Sequence, residues 1–156
     1  MKKSIFLTLA TLFALLAMVS CDDSASTTEQ RQEVKWSSVT VGNNHACAID
    51  KNKKMYCWGD GRGTNFELSP EPVNGNGEWD SAGLGDGHSC AIRTTGELYC
   101  WGDNQYGQLG LGTEGGGKDI PTLVGADTNW KSVSAGGSHT CAIKTTGELY
   151  CWGAND

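Results

Sequence analysis

Gly85-Asp86-Gly87-His88-Ser89-Cys90-Ala91-Ile92-Arg93-Thr94-Thr95-Gly96-Glu97-Leu98-Tyr99-Cys100-Trp101-Gly102 decides the fold, because the same frame stands twice more in the chain. It recurs as Gly42, His45, Cys47-Ala48-Ile49 and Met55-Tyr56-Cys57-Trp58-Gly59, and again as Gly136, His139, Cys141-Ala142-Ile143 and Leu149-Tyr150-Cys151-Trp152-Gly153. A tryptophan precedes each histidine by nine residues, at Trp36, Trp79 and Trp130, and the two cysteines of every copy are ten apart. Three copies in one register make a repeat protein, with units beginning at 36, 79 and 130. The second spacing, 51 residues, is typical of a four-stranded propeller blade or a similar β unit.

Within the third copy, Cys141-Ala142-Ile143 and Leu149-Tyr150-Cys151-Trp152 flank Lys144-Thr145-Thr146-Gly147-Glu148. That pattern predicts a β-hairpin whose glycine supplies positive φ. A loop from Thr145 to Gly147 sets Ile143 opposite Leu149, Ala142 opposite Tyr150 and Cys141 opposite Cys151. Both faces then carry apolar groups, and stacked blades would cover both. Directly opposed cysteines bring their Cβ atoms near the ~3.8 Å that a disulfide wants. Bonds are therefore expected between Cys47 and Cys57, Cys90 and Cys100, and Cys141 and Cys151, each adding roughly 2–3 kcal/mol in an oxidising compartment. The rival is zinc, but a structural zinc site takes cysteines two to four residues apart. His45, His88 and His139 would have to share an axial channel to complete such a site. Each instead lies two residues before a cysteine, on the same strand face, and is read as a structural residue of the repeat. No metal and no other cofactor is expected.

Trp101-Gly102-Asp103-Asn104-Gln105-Tyr106-Gly107-Gln108-Leu109-Gly110-Leu111-Gly112, preceded by Gly85 to Ala91, resembles the repeat of the regulator of chromosome condensation family, a seven-bladed β-propeller. Pro121 and Val124 fit the proline and valine that follow this string in the family. The resemblance runs from Trp36 to Asp156 and is weakest between Gly59 and Gly77, where Asp60-Gly61-Arg62-Gly63-Thr64-Asn65 replaces the string. It implies an all-β fold, a partial β-propeller of two to three blades of antiparallel strands over residues 36–156. Family members include an exchange factor for a small GTPase and a secreted β-lactamase inhibitor, so the resemblance implies protein recognition through one propeller face. Seven units at this spacing exceed the chain, which ends inside what should be the next string. Three accounts stay open: a fragment of a longer propeller, taken first; an open arc that self-assembles into a ring; and a short arc stapled by disulfides.

The N-terminus has its own pattern. Lys2 and Lys3 precede fifteen residues, Ile5 to Val19, that are apolar except for threonines. This is too short to span a ~30 Å hydrocarbon core comfortably and reads as a signal peptide over 1–20. Met18-Val19-Ser20-Cys21 resembles the lipobox of bacterial lipoproteins, with methionine where leucine is commonest, and implies lipid attachment at Cys21. An ordinary signal peptide cleaved beside a cysteine is the alternative. Residues 21–35 are polar and read as a flexible tether. The expected location is the bacterial cell envelope, by export, with the membrane reached through the N-terminal lipid alone.

Composition narrows the function. The net charge is −6, and no basic run offers a local patch, so nucleic acid is not an expected partner. Twenty-two glycines with three prolines and no Gly-X-Y period exclude collagen. Gly112-Thr113-Glu114-Gly115-Gly116-Gly117-Lys118 imitates a P-loop, but Asp119 stands where Ser or Thr must bind magnesium, and Pro121 follows where a helix should begin. Ser89 and Ser138 adjoin His88 and His139, yet strand neighbours point to opposite faces. Trp58, Trp101 and Trp152 recur at one repeat position and are read as blade packing. The expectation is a non-enzymatic, envelope-anchored binding or scaffold module for an unknown protein or surface macromolecule. The alternative is a carbohydrate-binding or polysaccharide-acting propeller enzyme at the cell surface.

Overall fold

The computed structural model describes residues 33–60, 67–75 and 77–155. The expected signal segment 1–20, the expected lipid site Cys21 and most of the expected tether 21–35 lie outside the described residues. Residues Val34–Asp156 form one compact unit, and the described part of it is all strand and loop.

Each repeat builds one antiparallel sheet. The first contains β1 (Trp36–Val41), β2 (His45–Asp50), β3 (Met55–Gly59) and β4 (Glu67–Pro72), hydrogen-bonded in that order. The second repeats the order with β5 (Trp79–Leu84), β6 (His88–Arg93), β7 (Leu98–Gly102) and β8 (Lys118–Leu123). The third has β9 (Trp130–Ala135), β10 (His139–Lys144) and β11 (Leu149–Gly153). The hairpin register is the one that counting predicts: Ile143 pairs with Leu149, Ala142 with Tyr150 and Cys141 with Cys151. The Gly147 amide donates to the Lys144 carbonyl at 2.9 Å, closing the turn, and Gly147 has φ +92°.

In the first copy the corresponding left-handed position is Lys53, at φ +62°. Asp50 compensates locally. Its Oδ1 accepts the amides of Asn52 and Lys54 at 2.8 and 2.9 Å, which holds the turn against the strain of a side chain in that region.

The stretch in which the repeat is weakest in sequence nonetheless yields an outer strand. Tyr56 pairs with Pro72 and Gly59 with Glu67, as Tyr99 pairs with Leu123 and Gly102 with Lys118. Prolines are tolerated in β4 and β8 because each is the last strand of its sheet. Lys118, the lysine of the P-loop imitation, begins strand β8.

Alternation along the strands gives every sheet two different faces. Cys47, Ile49, Met55 and Cys57 of the first sheet pack on Trp79, Leu84, Ala91 and Trp101 of the second. Cys90, Ile92, Leu98 and Cys100 of the second pack, with Leu109 and Val124, on Trp130 and Ala142 of the third. Burying each such aliphatic side chain contributes roughly 1.5–3 kcal/mol, and the two seams are the core.

Candidate functional site

The polar residues of the repeat converge on the seams between sheets. First and second strands of each repeat are joined by a tight turn in which the glycine amide donates to the histidine carbonyl: Gly42 to His45, Gly85 to His88 and Gly136 to His139, at 2.8, 2.9 and 2.9 Å. The imidazole folds back over that glycine. A Cβ at Gly42 would lie 2.6 Å from the Gly85 carbonyl and 3.0 Å from His45 Cε1, and one at Gly85 would collide with the His88 ring. No side chain fits at either position.

Each buried imidazole then reaches the next sheet. His45 Nε2 lies 2.8 Å from Ser89 Oγ, and His88 Nε2 lies 2.8 Å from Thr140 Oγ1. Thr140 donates its single hydroxyl proton to the Gln108 carbonyl at 2.9 Å. His88 must therefore supply the proton of the other bond from Nε2, which fixes its tautomer and leaves Nδ1 as an unpartnered acceptor. Burial lowers the His88 pKa to about 4; the neighbouring His45 and His139 push the same way, against Asp103 and Asp86. Burial also lowers the pKa of His45, against the pull of Asp60.

The long glycine-rich string supplies the rest of the second seam. Asn104, fully buried, donates from Nδ2 to the carbonyls of Thr113 and Gly115 at 2.9 Å each and accepts the Leu109 amide on Oδ1 at 3.1 Å. Folded around that side chain, the loop drives Leu109 into the seam and aims the Gln108 carbonyl at the third sheet. There it accepts from both Thr140 and the Trp152 indole, the latter at 2.9 Å.

A serine beside an imidazole is the geometry of a nucleophile and its base. Here Ser89 and His45 are 3% and 4% exposed and sit between two sheets, so the pair is closed to a substrate in this arrangement. Among the described residues no group of three or more His, Cys, Asp or Glu is placed to hold a metal ion.

The expected site residues have these positions. The sulfurs of Cys47 and Cys57, Cys90 and Cys100, and Cys141 and Cys151 are at bonding distance, with Cα atoms 4.1 Å apart in each pair. Trp101 is buried, Trp58 and Trp152 are half-buried, and Cys21 is outside the described residues. His139 is exposed at the rim of a depression of about 620 Å³ lined also by Ser138, Cys151 and Trp152.

Sequence reasoning quoted Asn104 and Gln108 as part of the repeat string and weighed Ser89 beside His88, but missed the seam roles of all three and of Thr140, although a hydroxyl directly after histidine in two copies was the available signal. It also missed Arg93, buried with its guanidinium 3.6 Å above the Trp79 ring and its pKa lowered by desolvation. Lys144 takes the same place in the third repeat, 4.7 Å from the Tyr150 ring and paired with Asp127 at 2.9 Å.

Sheets of this kind, stacked one per repeat with their first strands adjacent, are blades of a β-propeller. Family models described as the regulator of chromosome condensation (RCC1) repeat match residues 36–63, 80–108 and 95–143. Together these cover more than half of the chain, which belongs to the RCC1 repeat family.

Among solved structures, the chain is similar to human WBSCR16 (19% identity, TM-score 0.69), covering 78% of this chain and 33% of that one. It is similar to Prp20p from Saccharomyces cerevisiae at 23% identity and TM-score 0.68, covering 76% and 33%. A third is the CRINKLY WD40 ectodomain of the Arabidopsis thaliana receptor kinase ACR4, at 22% identity and TM-score 0.55, covering 79% and 39%. The chain thus spans about a third of the length of the first of these structures. No curated protein matches it.

Proposed function

We propose that the chain is a non-enzymatic module that binds protein, exported and held at the bacterial cell envelope by a lipid on Cys21, and that it works as part of a longer propeller. One observation carries the first part. The polar side chains that recur through the repeats, His45 with Ser89 and His88 with Thr140, are spent on joining sheets. That leaves the loops as the chemically distinctive surface, which suits recognition rather than turnover. The yeast relative Prp20p is described through its binding to Gsp1p and histones, and a further structure has Kap60 bound to yeast RCC1 (Prp20). These relatives support a protein partner by analogy alone. Three cysteine pairs at bonding distance suit an oxidising compartment and hence export.

The carbohydrate alternative has its own support in a groove of about 640 Å³ lined by two aromatic residues, Tyr106, 54% exposed, and Tyr150, 40% exposed. Crosslinking in intact cells separates the two readings. A discrete protein adduct on the wild type supports protein binding. Polysaccharide retained in its place, with no protein adduct, overturns it. For the anchor, Cys21→Ser should move the protein from the membrane to the soluble fraction, and unchanged membrane association discards the lipid.

A further inference from the structure

Arg93 ends β6 with 7% of its surface exposed and its guanidinium over the Trp79 ring, yet Nη1 has no hydrogen-bond partner among the described residues. The edge of that guanidinium lies against the loop that joins the first two sheets. A Cβ at Gly75 would stand 3.0 Å from Nη2, and one at Gly77 would stand 2.8 Å from Nη1. In the third repeat the stacked cation is met by an acid from the loop before Trp130, Lys144 by Asp127 at 2.9 Å. The loop before Trp79 sets glycine against Arg93 at these two points. A buried guanidinium donor left without an acceptor is costly, and a carboxylate is the acceptor that suits it best.

The same loop carries the two Asn-Gly steps of the chain, Asn74-Gly75 and Asn76-Gly77. Asn76 lies outside the described residues. Asn74 and Gly75 are exposed, and Gly75 has φ +122°. Among the described residues, neither the Asn74 side chain nor the Gly75 amide has a hydrogen-bond partner. No such bond holds the Asn74 carboxamide away from the next amide nitrogen, and glycine puts no Cβ in the way of its approach. We propose that Asn74 is a site of spontaneous deamidation and that Arg93 receives the carboxylate formed there. The Gly75 nitrogen attacks Asn74 Cγ, the Cγ–Nδ2 bond breaks, and ammonia leaves with the proton of the Gly75 amide. Water then opens the cyclic imide at one or the other carbonyl, giving an aspartyl or isoaspartyl linkage at position 74. Water is the sole co-reactant, no electrons are transferred, and either product carries a new negative charge beside Arg93.

The site is tested by incubating the full-length folded protein at neutral pH and digesting it with trypsin. Cuts after Arg62 and Arg93 place both asparagines in one peptide, and its fragment ions tell them apart. Asn74 should convert about tenfold faster than Asn52 and Asn129, neither of which precedes glycine, and Asn74→Gln should abolish the change at this position. Conversion no faster at Asn74, or confined to Asn76, overturns the assignment. Capture by Arg93 is read from stability. Asn74→Asp reproduces the aspartyl product and should raise the folding equilibrium constant about three- to fivefold by urea titration. The gain should vanish in an Arg93→Met background, with circular dichroism to verify folding. Added salt should shrink the gain with Arg93 intact. An equal effect in both backgrounds, a gain indifferent to salt, or a loss of stability in Asn74→Asp overturns the pairing.

Discussion

His88 Nε2 and Thr140 Oγ1, 52 residues apart in sequence, stand 2.8 Å apart across the seam between the second and third sheets. Thr140 passes the contact on to the Gln108 carbonyl, so one hydroxyl joins a strand of one repeat, the loop of the same repeat and a strand of the next. Thr140→Val keeps the shape and removes the oxygen, leaving the His88 N–H buried without a partner. The expected loss is about 2 kcal/mol of unfolding free energy by urea titration, with Thr140→Ser losing clearly less. A double-mutant cycle with His88→Phe should give a coupling of about 1 kcal/mol.

The lowered pKa of His88 has a defined pH signature. Between about 4, its value in the folded protein, and the ordinary 6.5 of the unfolded chain, the unfolded state binds the extra proton. Stability is therefore complete above the unfolded value, falls as the pH drops through this window, and levels out below about 4. The effect is of the order of 3 kcal/mol, and His45 acts in the same direction. Urea midpoints measured from pH 7.5 to 4 should show the fall, and His88→Gln should flatten it relative to wild type. A wild-type slope no steeper than that of the variant would count against a neutral, buried imidazole.

Gly85→Ala sets a methyl against the His88 ring and the Gly136 carbonyl, and both the ring and the neighbouring backbone are fixed by the seam. A loss of about 2–4 kcal/mol is expected from overpacking. At Gly147 there is open space around an added Cβ, and the positive φ is the sole obstacle. Gly147→Ala should cost about 1 kcal/mol. Thermal melts of the two variants would rank them.

Lys53→Gly removes the left-handed lysine of the first hairpin, and with it an exposed ion pair to Asp80 at 3.0 Å. Such pairs contribute little, so relief of the backbone should win by about 0.5–1 kcal/mol. A lower melting temperature for the variant would mean that the Asp50 turn already accommodates Lys53 without cost.

Reductant should discriminate between the cysteine pairs. Cys90 and Cys100 are wholly buried, Cys47 and Cys57 nearly so, and Cys151 is exposed. Mild dithiothreitol without denaturant, followed by alkylation and peptide mass mapping, should label Cys141 and Cys151 first. Removing the Cys90 and Cys100 pair by double serine substitution should cost about 2–3 kcal/mol. Equal labelling of all six would mean that the seams open faster than the reagent reacts.

What could be read from the amino acids divides along a physical line. A hairpin determines its partners by counting, so the pairing of Cys90 with Cys100 and of Ile143 with Leu149 followed from the loop length alone. Partners across a seam depend on how one sheet is rotated on the next, which no spacing records. Ser89 does point away from His88, as alternation requires, but it points at His45. Asn104 was read only as part of the Trp101–Gly112 string, whose spacing does not record that its amide organises the loop, and β4 was hidden because Pro70 and Pro72 disguise a strand. The aromatic repeat was legible as packing, whereas the cation stacked on it was not, since Asp50, Arg93 and Lys144 share a position without sharing a charge.

The loop organised by Asn104 belongs to the second repeat by numbering and to the third by contact, through Gln108, Leu109 and the Trp152 indole. Chimeras cut at the repeat boundaries would sever this clasp from its receiving strand, delivering a blade with its buckle and leaving the eyelet behind. The transferable piece is the joint between two blades, residues 98–153, so recombination within this protein should succeed at junctions placed inside a blade and fail at those placed between blades.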